Sequence, residues 1–194
     1  VMDHQNKLHG PHAFLRFVML VFVEPLNRSS SDFVFKGGNL LWVYIKTPRS
    51  TVDLDFVTRN LANDDQVKQA LEKVCKESQN GKVKFSITSF EASSKKGASV
   101  TIAYETEEGQ KNSFDLDIVY SIPTSSNPIH SPVDEQVEIE APTMEKIIAD
   151  KVAACHQFKG GNTRMKDFDD LWRISQLEGD LINRDQKIYF PIVR

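Results

Sequence analysis

The chain is poor in cysteine. Cys75 and Cys155 are the only two among 194 residues, and neither has Cys or His neighbours at metal-ligand spacing. This excludes a zinc module and a multiply stapled scaffold. It suits two inert thiols in a reducing cytoplasm, with one disulfide left open as an alternative. Charge of one sign is also lacking. Against 27 acidic residues stand 24 Lys and Arg, for a formal net charge of -3. No overall basic field draws this chain to nucleic acid, so any such contact rests on a local patch. There is no long hydrophobic run either. Ala13 to Val23 is strongly apolar, but it is too short to cross a bilayer and contains Arg16. It has no basic lead-in and no small-residue cleavage site, so it reads as a buried helix beneath the sheet, with no membrane partner. GxSxG, HExxH, Walker and CxxC patterns are all absent, which removes the common hydrolase and P-loop readings.

What the chain does have is an apolar fraction of 40%, enough for a real core at this length. The expected organisation is a core over residues 1–122, a Pro- and Ser-rich joint with an edge strand over 123–142, and a helical part over 143–194. Pro11 suits a first helical turn, and the helix is expected from about His12 to Val23, with Pro25 ending it. Phe33 to Lys36 reads as a short buried strand. Gly37 and Gly38 make a turn, Leu40 to Ile45 a helix, and Val52 to Val57 a strand. Asp64 or Asp65 is expected to cap a helix to about Ser78. Period-two alternation then marks three strands, at Lys82 to Phe90, Ser99 to Glu105 and Ser113 to Tyr120. Pro123 to Pro132 reads as loop and Val133 to Ile139 as a final edge strand. Helices are expected from Pro142–Thr143 to His156 and from Met165 to Leu177.

Chemistry concentrates in two places. In the first, Lys36-Gly37-Gly38-Asn39 is followed by Arg49-x-Thr51-x-Asp53-x-Asp55. Glycines at a helix start let backbone N–H groups approach phosphate, and the helix dipole favours negative charge there. Carboxylates at i and i+2 of a strand share a face, and their mutual repulsion favours a cation between or beside them. The reading is metal-assisted nucleotidyl transfer. A two-metal site wants a further carboxylate from a neighbouring strand. Asp117, beside Asp115 on one face of its strand, is the candidate, against the plainer reading of an exposed acidic face. In the second place, Lys151 falls on the inward stripe of its helix. It either snorkels to the edge or meets a buried anion. Asp167 and Asp170 share a face at i and i+3, interleaved with Arg164 and Lys166. They either satisfy the helix dipole or join a cluster that binds sugar or phosphate.

Taken in order, Phe35-Lys36-Gly37-Gly38, Arg49-x-Thr51-x-Asp53-x-Asp55, Asp117-Ile118, Glu145-x-x-x-x-Asp150-Lys151 and Arg164-x-Lys166-Asp167-x-x-Asp170-Leu171 resemble the AbiEii/AbiGii toxin-like nucleotidyltransferases of the DNA polymerase beta-like superfamily. The likeness runs from about Phe14 to Leu177. It implies an α+β fold: a mixed β-sheet flanked by helices, with a helical C-terminal part. It implies Mg²⁺-dependent transfer of a nucleotide from a nucleoside triphosphate to an acceptor hydroxyl, in some relatives the 3′ end of tRNA, by the toxin of a toxin–antitoxin pair. By the same resemblance Asp53, Asp55 and Asp117 would hold two metal ions. Lys151 would neutralise the triphosphate, and Asp167 and Asp170 would orient the nucleotide or activate the acceptor. The nucleotide-binding set it implies is Lys36, Gly37, Gly38, Asn39, Arg49, Thr51, Lys151, Arg164 and Lys166. One position departs from the family pattern. Thr or Ser usually follows the glycine pair, and here it is Asn39, whose amide can still bond a phosphate oxygen. Altered activity is expected from that change. The alternative is a catalytically weak nucleotide- or partner-binding module of the same fold.

Overall fold

The computed structural model describes residues 11–47, 50–93, 96–120, 122, 125–158 and 165–177. The order of elements is α1 (Pro11–Ser29), β1 (Phe33–Lys36), α2 (Gly37–Ile45), β2 (Asp53–Thr58), α3 (Asp64–Ser78), β3 (Val83–Ser93), β4 (Gly97–Thr106), β5 (Lys111–Val119), β6 (Asn127–His130), β7 (Glu138–Ala141), α4 (Met144–Phe158) and α5 (Met165–Ser175). Five strands form one mixed sheet in the order β1-β2-β5-β4-β3, and β6 and β7 form a separate two-stranded sheet. The α+β expectation holds.

The sheet is apolar on one side, and this is why its strands alternate so clearly. Leu54 and Phe56 of β2, Val100 and Ile102 of β4, and Phe114, Leu116 and Ile118 of β5 all point into the core. Val18, Phe22 and Leu26 of α1 and Val67, Leu71 and Val74 of α3 are buried in the same cluster. Phe22 sits edge-on to Phe85 and Phe114, with ring centroids 5.0 and 5.6 Å away, the tilted geometry that aromatic quadrupoles favour. Full burial of a side chain of this size contributes roughly 1.5–3 kcal/mol relative to exposure.

Three elements depart from expectation. First, α1 does not stop at Pro25 but runs another turn to Ser29. That turn buries Leu26 completely, which offsets the lost N–H of the proline, and the Ser29 hydroxyl donates back to the Leu26 carbonyl at 2.7 Å. Second, the cap of α3 is Asn63, whose side chain accepts from the Gln66 N–H at 2.9 Å. Asp64 and Asp65 follow it in the first turn. Third, the stretch expected as loop contains β6, which pairs antiparallel with β7, and the edge strand expected over Val133 to Ile139 lies instead at Glu138–Ala141. Arg59, after β2, ties this hairpin to the sheet by bonding Ser126 and Glu140.

Candidate active site

The sheet's second face carries the acids. β2 runs parallel to β5 with Asp53 opposite Asp115 and Asp55 opposite Asp117, while β1 places Lys36 opposite Asp55. Leu54 and Leu116, between the acids, are fully buried, so period two turns the carboxylates to the other side. The strand pairing thus sets Lys36, Asp55 and Asp117 in one row across three strands.

The glycine turn closes on this row. Gly37 opens α2 with φ +79°, and a Cβ placed on it would lie 1.8 Å from a carboxylate oxygen of Asp55. No side chain fits there, and the left-handed backbone would strain any other residue. Lys36 precedes the helix without a side-chain cap bond. The first N–H groups of α2 are therefore left without intrahelical carbonyl partners beside Asp55. Burial raises the Asp55 carboxyl above the ordinary carboxylate range. The negative charges of Asp53 and Asp117 push the same way, while the cations of Lys36 and Lys166 pull it back. Lys166, at the start of α5, thus acts on Asp55 from the helical part. Thr51 lies two residues before Asp53, and its buried hydroxyl has no hydrogen-bond partner among the described residues.

The helical part holds its charge differently. The Lys151 ammonium of α4 donates to Asp167 at 3.0 Å and to Asp170 at 2.7 Å, both on α5. Asp170 is fully buried and Asp167 nearly so. Lys151 therefore meets a buried anion, as one sequence reading allowed, and that anion comes from the protein itself. Reaching a triphosphate would mean leaving these two carboxylates.

Asn39 points away from the acidic face. Its side chain is buried; the amide NH₂ donates to the backbone carbonyl of Asp53 at 2.6 Å, and its carbonyl accepts from Arg16 Nε of α1 at 3.2 Å. The expectation that this amide meets a phosphate oxygen needs correction: both ends of it serve the protein. Arg16 itself is buried, with its guanidinium 4.9 Å from the centre of the Trp42 ring.

Of the residues anticipated from sequence, Lys36, Gly37, Asp53, Asp55, Asp117 and Lys166 gather around the glycine turn, with Gly38 in the first turn of α2. Lys151, Asp167 and Asp170 bond to one another between α4 and α5. Arg49 and Arg164 lie outside the described residues. The sequence reading missed Arg16 as part of the support. A charged residue inside an otherwise apolar helical stripe was the available signal.

A family profile described as nucleotidyl transferase AbiEii toxin, type IV toxin–antitoxin system, matches residues 21–189. The chain belongs to this AbiEii nucleotidyltransferase family. Among solved structures it is similar to JHP933 from Helicobacter pylori, with a TM-score of 0.59 at 19% identity over 93% of this chain and 70% of that one. A second similar structure is that of a proposed nucleotidyltransferase from H. pylori, with a TM-score of 0.61 at 18% identity over 90% of this chain and 72% of the other. These two likenesses concern the fold. No curated protein matches the chain.

For an AbiEii nucleotidyltransferase the donor set is chemically apt for a hard divalent cation: carboxylate oxygens in excess of their cations, with one carboxyl already resisting ionisation. Among the described residues no three Asp, Glu, His or Cys side chains converge as a finished cage. Magnesium does not require one, because it commonly takes one or two carboxylates and completes its shell with water and substrate phosphates. Among the described residues no helix is long and apolar enough to cross a membrane.

Proposed function

We propose that this chain transfers a nucleoside monophosphate from a nucleoside triphosphate to an acceptor hydroxyl, in a Mg²⁺-dependent reaction at the face between α2, β2, β5 and α5. The observation that carries the reading is the packing of Asp55 against Gly37 at the N-terminus of α2, in register with Asp117. It joins a phosphate cradle to a carboxylate row.

The roles follow from charge and position. Backbone N–H groups of the Gly37–Gly38 turn hold phosphate oxygens, helped by the helix dipole. Lys36 and Lys166 offset triphosphate charge on either side of Asp55. Asp53 and Asp55 hold the metal, and Asp117 completes the set from β5. Bound there, Mg²⁺ would neutralise phosphate charge and fix the triphosphate. The acceptor oxygen attacks the α-phosphorus in line. A new O–P bond forms as the bond to the bridging oxygen breaks, and pyrophosphate leaves. The protein's part is mainly positioning and charge neutralisation. Lys151, Asp167 and Asp170 act as a unit that sets α5 and with it Lys166. Thr51, Arg49 and Arg164 belong to the proposed nucleotide-binding set through their places in the motifs.

The acceptor we propose is the 3′ hydroxyl of tRNA, and the partner a cognate antitoxin, as befits a toxin family. With a net charge of -3, acceptor recognition depends on local surface. The test is incubation with Mg²⁺, each labelled NTP and total tRNA, beside an Asp53→Asn/Asp55→Asn control. Label in RNA that falls by about 10³-fold or more in the control is the expected result, a loss typical of removing preorganised electrostatic groups. Equal transfer by the control would refute the roles of these carboxylates. Nucleotide binding by the intact chain without transfer to any acceptor would favour the binding-module alternative.

A further inference from the structure

Between α1 and the acidic face runs a buried polar chain that no assigned role uses. Arg16 Nε donates to the Asn39 side-chain carbonyl at 3.2 Å, and the Asn39 amide donates to the Asp53 backbone carbonyl at 2.6 Å. Arg16 and Asn39 are 3% and 1% exposed, so neither can reach substrate, yet both carry strong polar groups into an apolar core. The chemistry of the three groups fixes the direction of the chain. Arg Nε–H can only donate and a backbone carbonyl can only accept, so the Asn39 amide has one orientation that satisfies both. Arg16 keeps its proton despite burial. Burial lowers its pKa from a very high value, and its guanidinium finds the face of Trp42 at 4.9 Å. A cation donating to the Asn39 carbonyl polarises the amide and makes its N–H the stronger donor to Asp53.

The endpoint of the chain is telling. Asp53 is the first residue of β2 and the first of the two carboxylates. Asn39 is the third residue of α2, two after the glycine that touches Asp55. Helix and strand are thus joined at two points, Gly37 on Asp55 and Asn39 on Asp53.

We propose that Arg16 and Asn39 are positioning residues, whose two hydrogen bonds hold the Asp53 backbone, and through it both carboxylates, in register with the phosphate cradle of α2. The inference rests on the nucleotidyl-transfer reading for what is positioned, but the tether itself is a property of the protein alone.

Asn39→Asp separates the two halves of the chain. Its carboxylate still accepts from Arg16, as an ion pair, but turns an oxygen instead of a donor toward the Asp53 carbonyl. Arg16→Gln and Arg16→Met make the matching pair. Gln Nε2, bonded to Cδ as Arg Nε is, can donate to Asn39, and Met cannot. Three readouts apply to all variants: the melting temperature, Mg²⁺-nucleotide affinity measured by the rise in that temperature on titration, and hydrogen exchange of the β2 amides in the metal-free protein. Asn39→Asp is expected to keep its melting temperature within a few degrees, exchange β2 amides faster and bind Mg²⁺-nucleotide about tenfold more weakly, the scale typical of groups that orient metal ligands. Arg16→Met is expected to match those exchange and binding losses, and Arg16→Gln to restore wild-type values. Unchanged exchange and affinity in Asn39→Asp would overturn the proposal, as would losses in which Gln and Met at position 16 are indistinguishable. If Asn39→Asp fails to fold, that Gln–Met comparison decides alone. A wild-type chain that binds no nucleotide refutes the functional reading, while the exchange rates still decide the tether.

Discussion

Asp167 and Asp170 are buried between two helices with the Lys151 ammonium bonded to both. Asp53, Asp55 and Asp117 share a strand face where Lys36 and Lys166 only partly balance them, and Asp55 resists ionisation there. The side chains are the same and their settings differ. In the first group one ammonium bonds both carboxylates and ties α4 to α5. In the second the acids line one face of the sheet without such a bond to Asp55 in its balance of charges, and in the function proposed above a metal ion and nucleotide would meet them there.

Removing Lys151 should break the comparison most severely. Lys151→Met takes from Asp170, fully buried, and from Asp167 the ammonium bonded to both. Losing one partner of such a pair costs on the order of 3–5 kcal/mol. The expected result is a large fall in the urea midpoint with an unchanged slope. Lys151→Met/Asp167→Asn/Asp170→Leu, which removes the buried charges together, should regain much of the loss. Were Lys151 chiefly a triphosphate ligand, Lys151→Met would instead keep its stability and lose only nucleotide affinity.

This pair of clusters also marks how far the sequence could be read. Alternation in β3, β4 and β5 was legible because one face of the sheet is apolar and the other polar, so period two survives in the composition. Gly37 and the Asp53-x-Asp55 pair were legible because few residues tolerate those positions. Asp117 as the candidate to join them followed from strand periodicity, but the register putting it opposite Asp55 is a property of pairing. Lys151, Asp167 and Asp170 were each visible as misplaced charges. Their mutual bonding was not, since it depends on how α4 packs on α5. Asn39 was read as able to bond a phosphate oxygen because it stands where the resembled family has Thr or Ser after the glycine pair. Helical rotation from Gly37 instead turns it toward α1, where Arg16 waits 23 residues away in sequence. Strand β6 was hidden by its shortness and by Pro128.

Lys166 sharpens the contrast at smaller scale. It is exposed, and its charge pulls the Asp55 carboxyl down. Lys166→Met should therefore change folding stability by no more than about 0.5 kcal/mol, as surface substitutions usually do. The apparent affinity for Mg²⁺-nucleotide should fall roughly tenfold, about 1.4 kcal/mol. A urea titration and a binding isotherm of the same variant would test both. Lys151 and Lys166 would then show opposite profiles, stability without direct ligand contact for Lys151 and ligand affinity without stability for Lys166.

The smallest expected effect is a gain in stability. A carboxyl whose pKa rises on folding binds more protons in the native state than in the unfolded one over the pH range between its two values. Stability from that group therefore falls as pH rises from the ordinary carboxylate value of 3.8 through the raised native value, and above it the penalty is complete. Asp55→Asn removes a charge that burial, Asp53 and Asp117 all disfavour. In chelator at neutral pH the variant should melt above the wild type, and the gap should close as pH falls through that window. Asp170→Asn, which takes away a carboxylate bonded to the Lys151 ammonium, should lower the melting temperature at neutral pH. If both substitutions destabilise alike, the two groups of aspartates do not differ in how their charge is balanced. If only the strand-face change stabilises, metal-free protein is strained where its ligand is meant to sit.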